Sequence, residues 1–176
     1  MNVFVLCTGR CGSAPFSKAC GHITNFTSGH ETRARFIGPE RLAYPDNHIE
    51  VDSRLAWFLG RLDAKYADTP FYVHLTRDLE ATARSFTKRA NRGIMAAYRD
   101  ALVLGRTPSF TPYEMALDYC ETVTENIRVF LKGKVHMEVR LEEAMQSFPI
   151  FWERVHASGS LPDALAEFAT LHNQSR

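Results

Sequence analysis

Val3-Phe4-Val5-Leu6-Cys7-Thr8-Gly9-Arg10-Cys11-Gly12-Ser13 decides the architecture. Residues 3–7 are a short apolar run rich in β-formers, which reads as a strand buried on both faces. Thr8-Gly9 ends it. Residues 13–20 then read as a short helix, with Gly21 as its stop. The turn between strand and helix has the parts of an anion cradle. Gly9 and Gly12 let the backbone curl so that several N–H groups face one ligand, and the helix start adds partial positive charge. Arg10 adds a forked donor suited to phosphate or sulfate oxygens, and Ser13 adds a hydroxyl. The pattern has no Walker lysine and is not GxGxxG. A strand-to-helix turn that needs glycine for geometry alone is the plainer alternative.

Further along, residues 48–51 and 71–75 read as second and third strands, and residues 134–139 as another. Asp52 or Ser53 caps a helix in which Leu55, Phe58, Leu59 and Leu62 have helical spacing. A long helix is predicted from Asp78 to about Leu104, ended by Gly105, with a turn-rich link over 105–112. Helices are predicted over 113–131, 142–156 and 161–172. Residues 22–47 carry no sustained period and read as one long excursion, of the kind that often serves function. Strands alternating with helices predict an α/β fold: three layers, a central parallel sheet of about four or five strands, helices on both faces. The simplest organisation is one domain over residues 1–176.

Composition narrows the function. Lys plus Arg is 21 and Asp plus Glu is 20, a formal charge of +1. A general nucleic-acid binder would show a basic excess, so no nucleic-acid partner is expected. No apolar run approaches the roughly 20 residues of a membrane span, and no signal-peptide core is present. The chain therefore reads as cytoplasmic, with Cys7, Cys11, Cys20 and Cys120 as thiols outside any zinc spacing.

A second anion signal lies in His74-Leu75-Thr76-Arg77-Asp78, with Ser85 eight residues after Arg77. In a parallel sheet the C-terminal strand ends share one edge, where ligands bind. Arg77 is expected at that edge, and Ser85 about two turns along the next helix. Lys88 and Arg89 read as a solvated charged face. Most aromatics fall at helical spacings and serve the core, among them Phe16, Trp57, Phe86 and Phe148. Phe110 and Tyr113 flank the link and suit an acceptor pocket or adenine stacking.

The two anion stretches together resemble the sulfotransferases that use 3′-phosphoadenosine 5′-phosphosulfate (PAPS). In that family a loop like Thr8-Gly9-Arg10-Cys11-Gly12-Ser13 binds the 5′-phosphosulfate, and an Arg–Ser pair at the spacing of Arg77 and Ser85 binds the 3′-phosphate. Val139-Arg-Leu-Glu-Glu143 is similar to a strand-to-acidic-turn segment late in such domains. Ser28-Gly29-His30-Glu31-Thr32-Arg33 looks like the Gly-Glu-Glu-Thr-Arg segment of tyrosylprotein sulfotransferases, where the glutamate before Thr-Arg is the catalytic base.

The resemblance implies the P-loop-like sulfotransferase fold and sulfuryl transfer to a hydroxyl of a small-molecule, carbohydrate or peptide acceptor. It implies a donor held by residues 8–14, Arg77 and Ser85, with Arg10 stabilising charge and no metal. Glu31 stands as base, with His30 and Glu50 as the other candidates. Arg33 is expected to orient Glu31 or bind an acidic acceptor. Ala14 and Pro15 stand where the family often has a second hydroxyl, and its late Arg-Lys-Gly adenine loop is not visible. Two alternatives therefore stay open, a non-catalytic nucleotide-binding module and a P-loop small-molecule kinase.

Overall fold

The computed structural model describes residues 1–104 and 110–169. Five strands form one sheet: β1 (Val3–Leu6), β2 (Thr27–His30), β3 (His48–Val51), β4 (Phe71–Thr76) and β5 (His136–Arg140). Their order is β2-β3-β1-β4-β5 and every pairing is parallel. Seven α-helices lie among the described residues: α1 (Ser13–Cys20), α2 (Leu59–Tyr66), α3 (Leu79–Thr87), α4 (Ile94–Ala97), α5 (Pro112–Leu131), α6 (Ala144–Arg154) and α7 (Leu161–Ala169).

The three layers follow from strand alternation. Val3 and Val5 of β1 point into one core with Phe16, Phe148, Phe151 and Phe168 from α1, α6 and α7. Phe4 and Leu6 point into the opposite core with Leu62, Phe86, Tyr119 and Ile127 from α2, α3 and α5. β1 is thus buried on both faces, as its unbroken apolar run requires. Rings of Phe16, Phe148 and Phe168 meet at centroid distances of 5.2–6.2 Å. Such pairs contribute about 0.5–1.5 kcal/mol each beyond their burial. All four cysteines are unpaired and wholly buried.

Three expectations are corrected. Residues 22–47 are not strand-free: β2 forms the sheet edge there. Its sequence, Thr-Ser-Gly-His, has no hydrophobic alternation because no residue of the strand is buried. Its pairing to β3 holds it instead, extended by Thr27 N–H to Asn47 O and Glu31 N–H to Val51 O.

The long helix over 78–104 is broken. After α3 the chain makes short i→i+3 turns through Arg92, and Gly93 takes φ +60°, outside the helical region. Helix resumes as α4 and widens into a π turn over Tyr98–Leu102. The expected stop at Gly105, part of the link after it, and residues 170–172 of the last expected helix lie outside the described residues.

The helix after β3 is also divided. Asp52 caps a 3-10 turn over Ser53–Trp57, accepting from Arg54 N–H at 2.8 Å, and α2 follows. Trp57 in that turn is exposed rather than core. By contrast α5 begins one residue before its expected start, with Pro112 in the first turn and a Thr111–Glu114 capping box.

Candidate functional site

The strand-to-helix turn is built from left-handed residues: Gly9 (φ +84°), Arg10 (φ +59°) and Gly12 (φ +91°). Arg10 has a side-chain cost in that region and is held there by its surroundings. Gly12 is required twice over, because an added Cβ would stand 2.4 Å from Leu141 Cδ1. Tyr119 on α5 ties down the turn's first residue, donating its hydroxyl to Thr8 O at 2.9 Å. Gly12 offers no side chain to cap α1, so the first-turn N–H groups have no side-chain acceptor. Cys11 turns its thiol into the core and Ala14 is exposed, so both bring only backbone to the turn.

The second signal meets the first. Arg10 Nε donates to Ser85 Oγ at 3.0 Å, and an Arg77 guanidinium nitrogen lies 3.4 Å from Arg10 O. Burial, and then the charges of Arg89 and Arg77, lower the Arg10 pKa. Arg89 is itself exposed, as expected of a solvated face, and its charge reaches Arg10 from there. None of the three arginines forms an ion pair among the described residues, whereas Arg84 and Arg99 do. Like charges gathered at strand ends favour an anion between them.

His30 ends β2 and Glu31 follows it. His30 Nε2 lies 3.2 Å from Ser13 Oγ. Glu31 takes φ +55° and pairs through Oε2 with Arg54, while Ser53 Oγ donates to its Oε1 at 3.4 Å. Ser53 also packs on the turn: an added Cβ at Gly9 would lie 3.5 Å from Ser53 Cβ. Glu31 and the anion turn thus share Ser53 as a common wall.

Arg33 does not orient Glu31. It pairs with Glu40 at 3.5 Å and lies over the Phe36 ring. Arg54 has the expected orienting contact, and sequence reasoning missed it. Its signal was its position just past the end of β3, on the ligand edge.

The other carboxylates are engaged. Glu50 is fully buried, accepts from Thr32 N–H at 2.7 Å and Thr32 Oγ1 at 2.6 Å, and meets His48 Nε2 at 2.9 Å. Asp52 is buried against Arg41 at 2.6 Å.

Two cavities flank the turn. One, of about 630 Å³, lies between the ends of β4 and β5 and helices α3 and α5. Thr8, Arg77, Arg128 and Arg140 line it together with Asp78, Glu121, Glu125 and Glu138, and no aromatic ring does. Phe110 and Tyr113 are not in its wall; Tyr113 lies under Arg84 instead. The second cavity, of about 590 Å³, is lined by His30, Glu31, Thr32, Ala34, Arg35 and Arg54.

Inward from the first cavity, His74 of β4 stands in register with Glu138 of β5. Its ring is buried and neither nitrogen has a hydrogen-bond partner. Burial pushes its pKa down to about 4.

Among the described residues no group of three or more His, Cys, Asp or Glu is arranged to hold a metal ion. None of their helices is long and apolar enough to cross a membrane. No protein-family model matches the chain, and no curated protein matches it by sequence.

Proposed function

We propose that this chain is a sulfotransferase that moves a sulfuryl group from PAPS to an acceptor hydroxyl. The observation that carries the reading is the convergence of Arg10, Arg77 and Ser85, from two separate anion-binding elements, at one edge of a parallel sheet. The order β2-β3-β1-β4-β5, with the anion turn after the central strand, supports a P-loop-like sulfotransferase fold.

In this reading Arg10, Ser13 and the backbone of residues 9–14 hold the phosphosulfate. Arg77 and Ser85 anchor the 3′-phosphate, and the nucleoside occupies the 630 Å³ cavity that Arg77 and Thr8 border. The acceptor enters the cavity lined by His30 and Glu31. Its oxygen bonds to sulfur as the bond from sulfur to the 5′-phosphate oxygen breaks. Glu31 takes the acceptor proton, and adenosine 3′,5′-bisphosphate leaves. Positioning and charge stabilisation supply the catalysis, as in phosphoryl transfer. Arginines serve as the charge partners, so the reading calls for no metal. The acceptor is a small-molecule, carbohydrate or peptide hydroxyl. Four buried, unpaired thiols fit a reducing, cytoplasmic setting.

Ala14 brings no hydroxyl to the turn, which favours a second reading: a module that binds the nucleotide without turnover. Two measurements decide. Thermal stabilisation by adenosine 3′,5′-bisphosphate but not by ATP with magnesium is expected; the reverse marks a kinase. Transfer of label from PAPS to an acceptor library is expected; binding without transfer marks the module.

A further inference from the structure

We propose that Glu50 is the positioning residue of this site, holding Glu31 against the anion turn by gripping the next residue, Thr32. The inference rests on the reading of Glu31 as the base. Glu50 is wholly buried on β3, yet its carboxylate points at the β2 edge and not at an arginine. Both of its oxygens accept from Thr32, one from the backbone N–H at 2.7 Å and one from the hydroxyl at 2.6 Å. Glu31 lies between this grip and its own N–H bond to Val51 O. It is held at φ +55°, a conformation a glutamate seldom adopts unaided.

The surroundings are shaped for the grip. An added Cβ at Gly29 would stand 2.1 Å from Thr32 Cγ2 and 3.5 Å from Glu50 Oε2, so Gly29 leaves the space Thr32 needs. Behind Glu50, His48 Nε2 faces the carboxylate at 2.9 Å. On the other side of the ring, Thr27 Oγ1 lies 2.8 Å from Nδ1. Tyr44 stacks on the His48 ring at 5.5 Å. Thr27, His48, Glu50 and Thr32 thus form a rail beneath β2, and the residue at its open end is Glu31. A carboxylate serving only to fill the core would be replaced well by an apolar side chain.

The test compares Glu50→Gln, Thr32→Val and Thr32→Ser with wild type. Thr32→Val changes only the outer turn and keeps the test decisive if Glu50→Gln does not fold. With PAPS and an accepted substrate, kcat is expected to fall at least 30-fold in Glu50→Gln and about tenfold in Thr32→Val. The KM for PAPS and the affinity for adenosine 3′,5′-bisphosphate are expected to stay within twofold. Thr32→Ser, which keeps the hydroxyl, is expected to restore kcat to within threefold of wild type.

A kcat unchanged in Thr32→Val, or a loss that tracks bisphosphate affinity in all variants, overturns the proposal. Amide exchange decides positioning independently of turnover. Residues 31 and 32 are expected to exchange at least tenfold faster in Thr32→Val, with β1 and β4 unchanged; equal rates overturn it. Failure of the sulfotransferase reading shows separately, as absence of label transfer in the wild-type protein.

Discussion

Arg10 Nε and Ser85 Oγ, 75 residues apart in the chain, lie 3.0 Å apart. The contact joins the turn after β1 to the helix after β4, where Arg10 and Arg77 form no ion pair among the described residues. Like charges held this close repel one another, and a bound anion relieves the repulsion. Arg77→Ala and Arg10→Ala are each expected to weaken adenosine 3′,5′-bisphosphate binding roughly 10- to 100-fold, as removal of a charged hydrogen bond does. The melting temperature of unliganded Arg77→Ala is expected to stay level or rise. Calorimetric titration beside thermal melting checks both; a lower melting temperature with unchanged affinity would assign Arg77 to the scaffold instead.

Gly12→Ala is expected to destabilise the protein by about 1–3 kcal/mol, because it adds left-handed strain and overlap with Leu141 together. The double variant Gly12→Ala/Leu141→Ala removes the overlap and leaves the strain. Urea denaturation is expected to show that its loss is smaller than the sum of the two single losses.

His74 makes stability depend on pH. Its pKa in the folded chain is about 4, against 6.5 for the exposed ring. Between those values the unfolded chain binds the extra proton, so stability falls as pH drops from about 6.5 to about 4. The full loss is about 3 kcal/mol. His74→Leu removes two buried nitrogens that make no hydrogen bond, the 3.9 Å contact of Nδ1 with Glu138, and this proton linkage. Its denaturation midpoint is expected to be at or above wild type at pH 7 and flatter toward pH 4. A wild-type slope retained in His74→Leu would assign the linkage to another group.

Arg41→Met would leave Asp52 buried without its guanidinium partner and is expected to cost about 3–5 kcal/mol. Arg41→Met/Asp52→Asn, which removes the buried charge and keeps the oxygen that accepts from Arg54 N–H, is expected to recover most of it. Chemical denaturation of the pair of variants checks this; equal losses in both would mean that the ion pair is not the cause.

The sequence made the centre of the sheet legible and obscured its edge. β1, β3 and β4 carry side chains buried on both faces; β1 and most of β4 announce themselves as apolar runs, and β3 sets Ile49 and Val51 between polar residues. β2 buries nothing, and its evidence is backbone pairing, which no side-chain pattern records. The break before α4 was hidden for a similar reason. Apolar residues continue at helical spacing past Gly93, so one glycine's φ outweighs a pattern that reads as continuous.

At the site, local spacing foretold Arg10, Arg77 and Ser85, whose meeting needs only parallel strands. The contacts of Arg54 and of Glu50, which the sequence offered only as another candidate base, were beyond it. Those contacts depend on which residue of a neighbouring strand end each faces, a matter of register rather than composition.

The four buried cysteines have a practical consequence. Native thiols without solvent contact react with alkylating reagents only when the structure opens. Cys11 sits in the anion turn, while Cys20 and Cys120 lie at the end of α1 and within α5. Comparing modification rates position by position would separate breathing of the turn from global unfolding. The chain thus carries its own gauge of which part loosens first, and a nucleotide that seats in the turn would slow Cys11 ahead of the others.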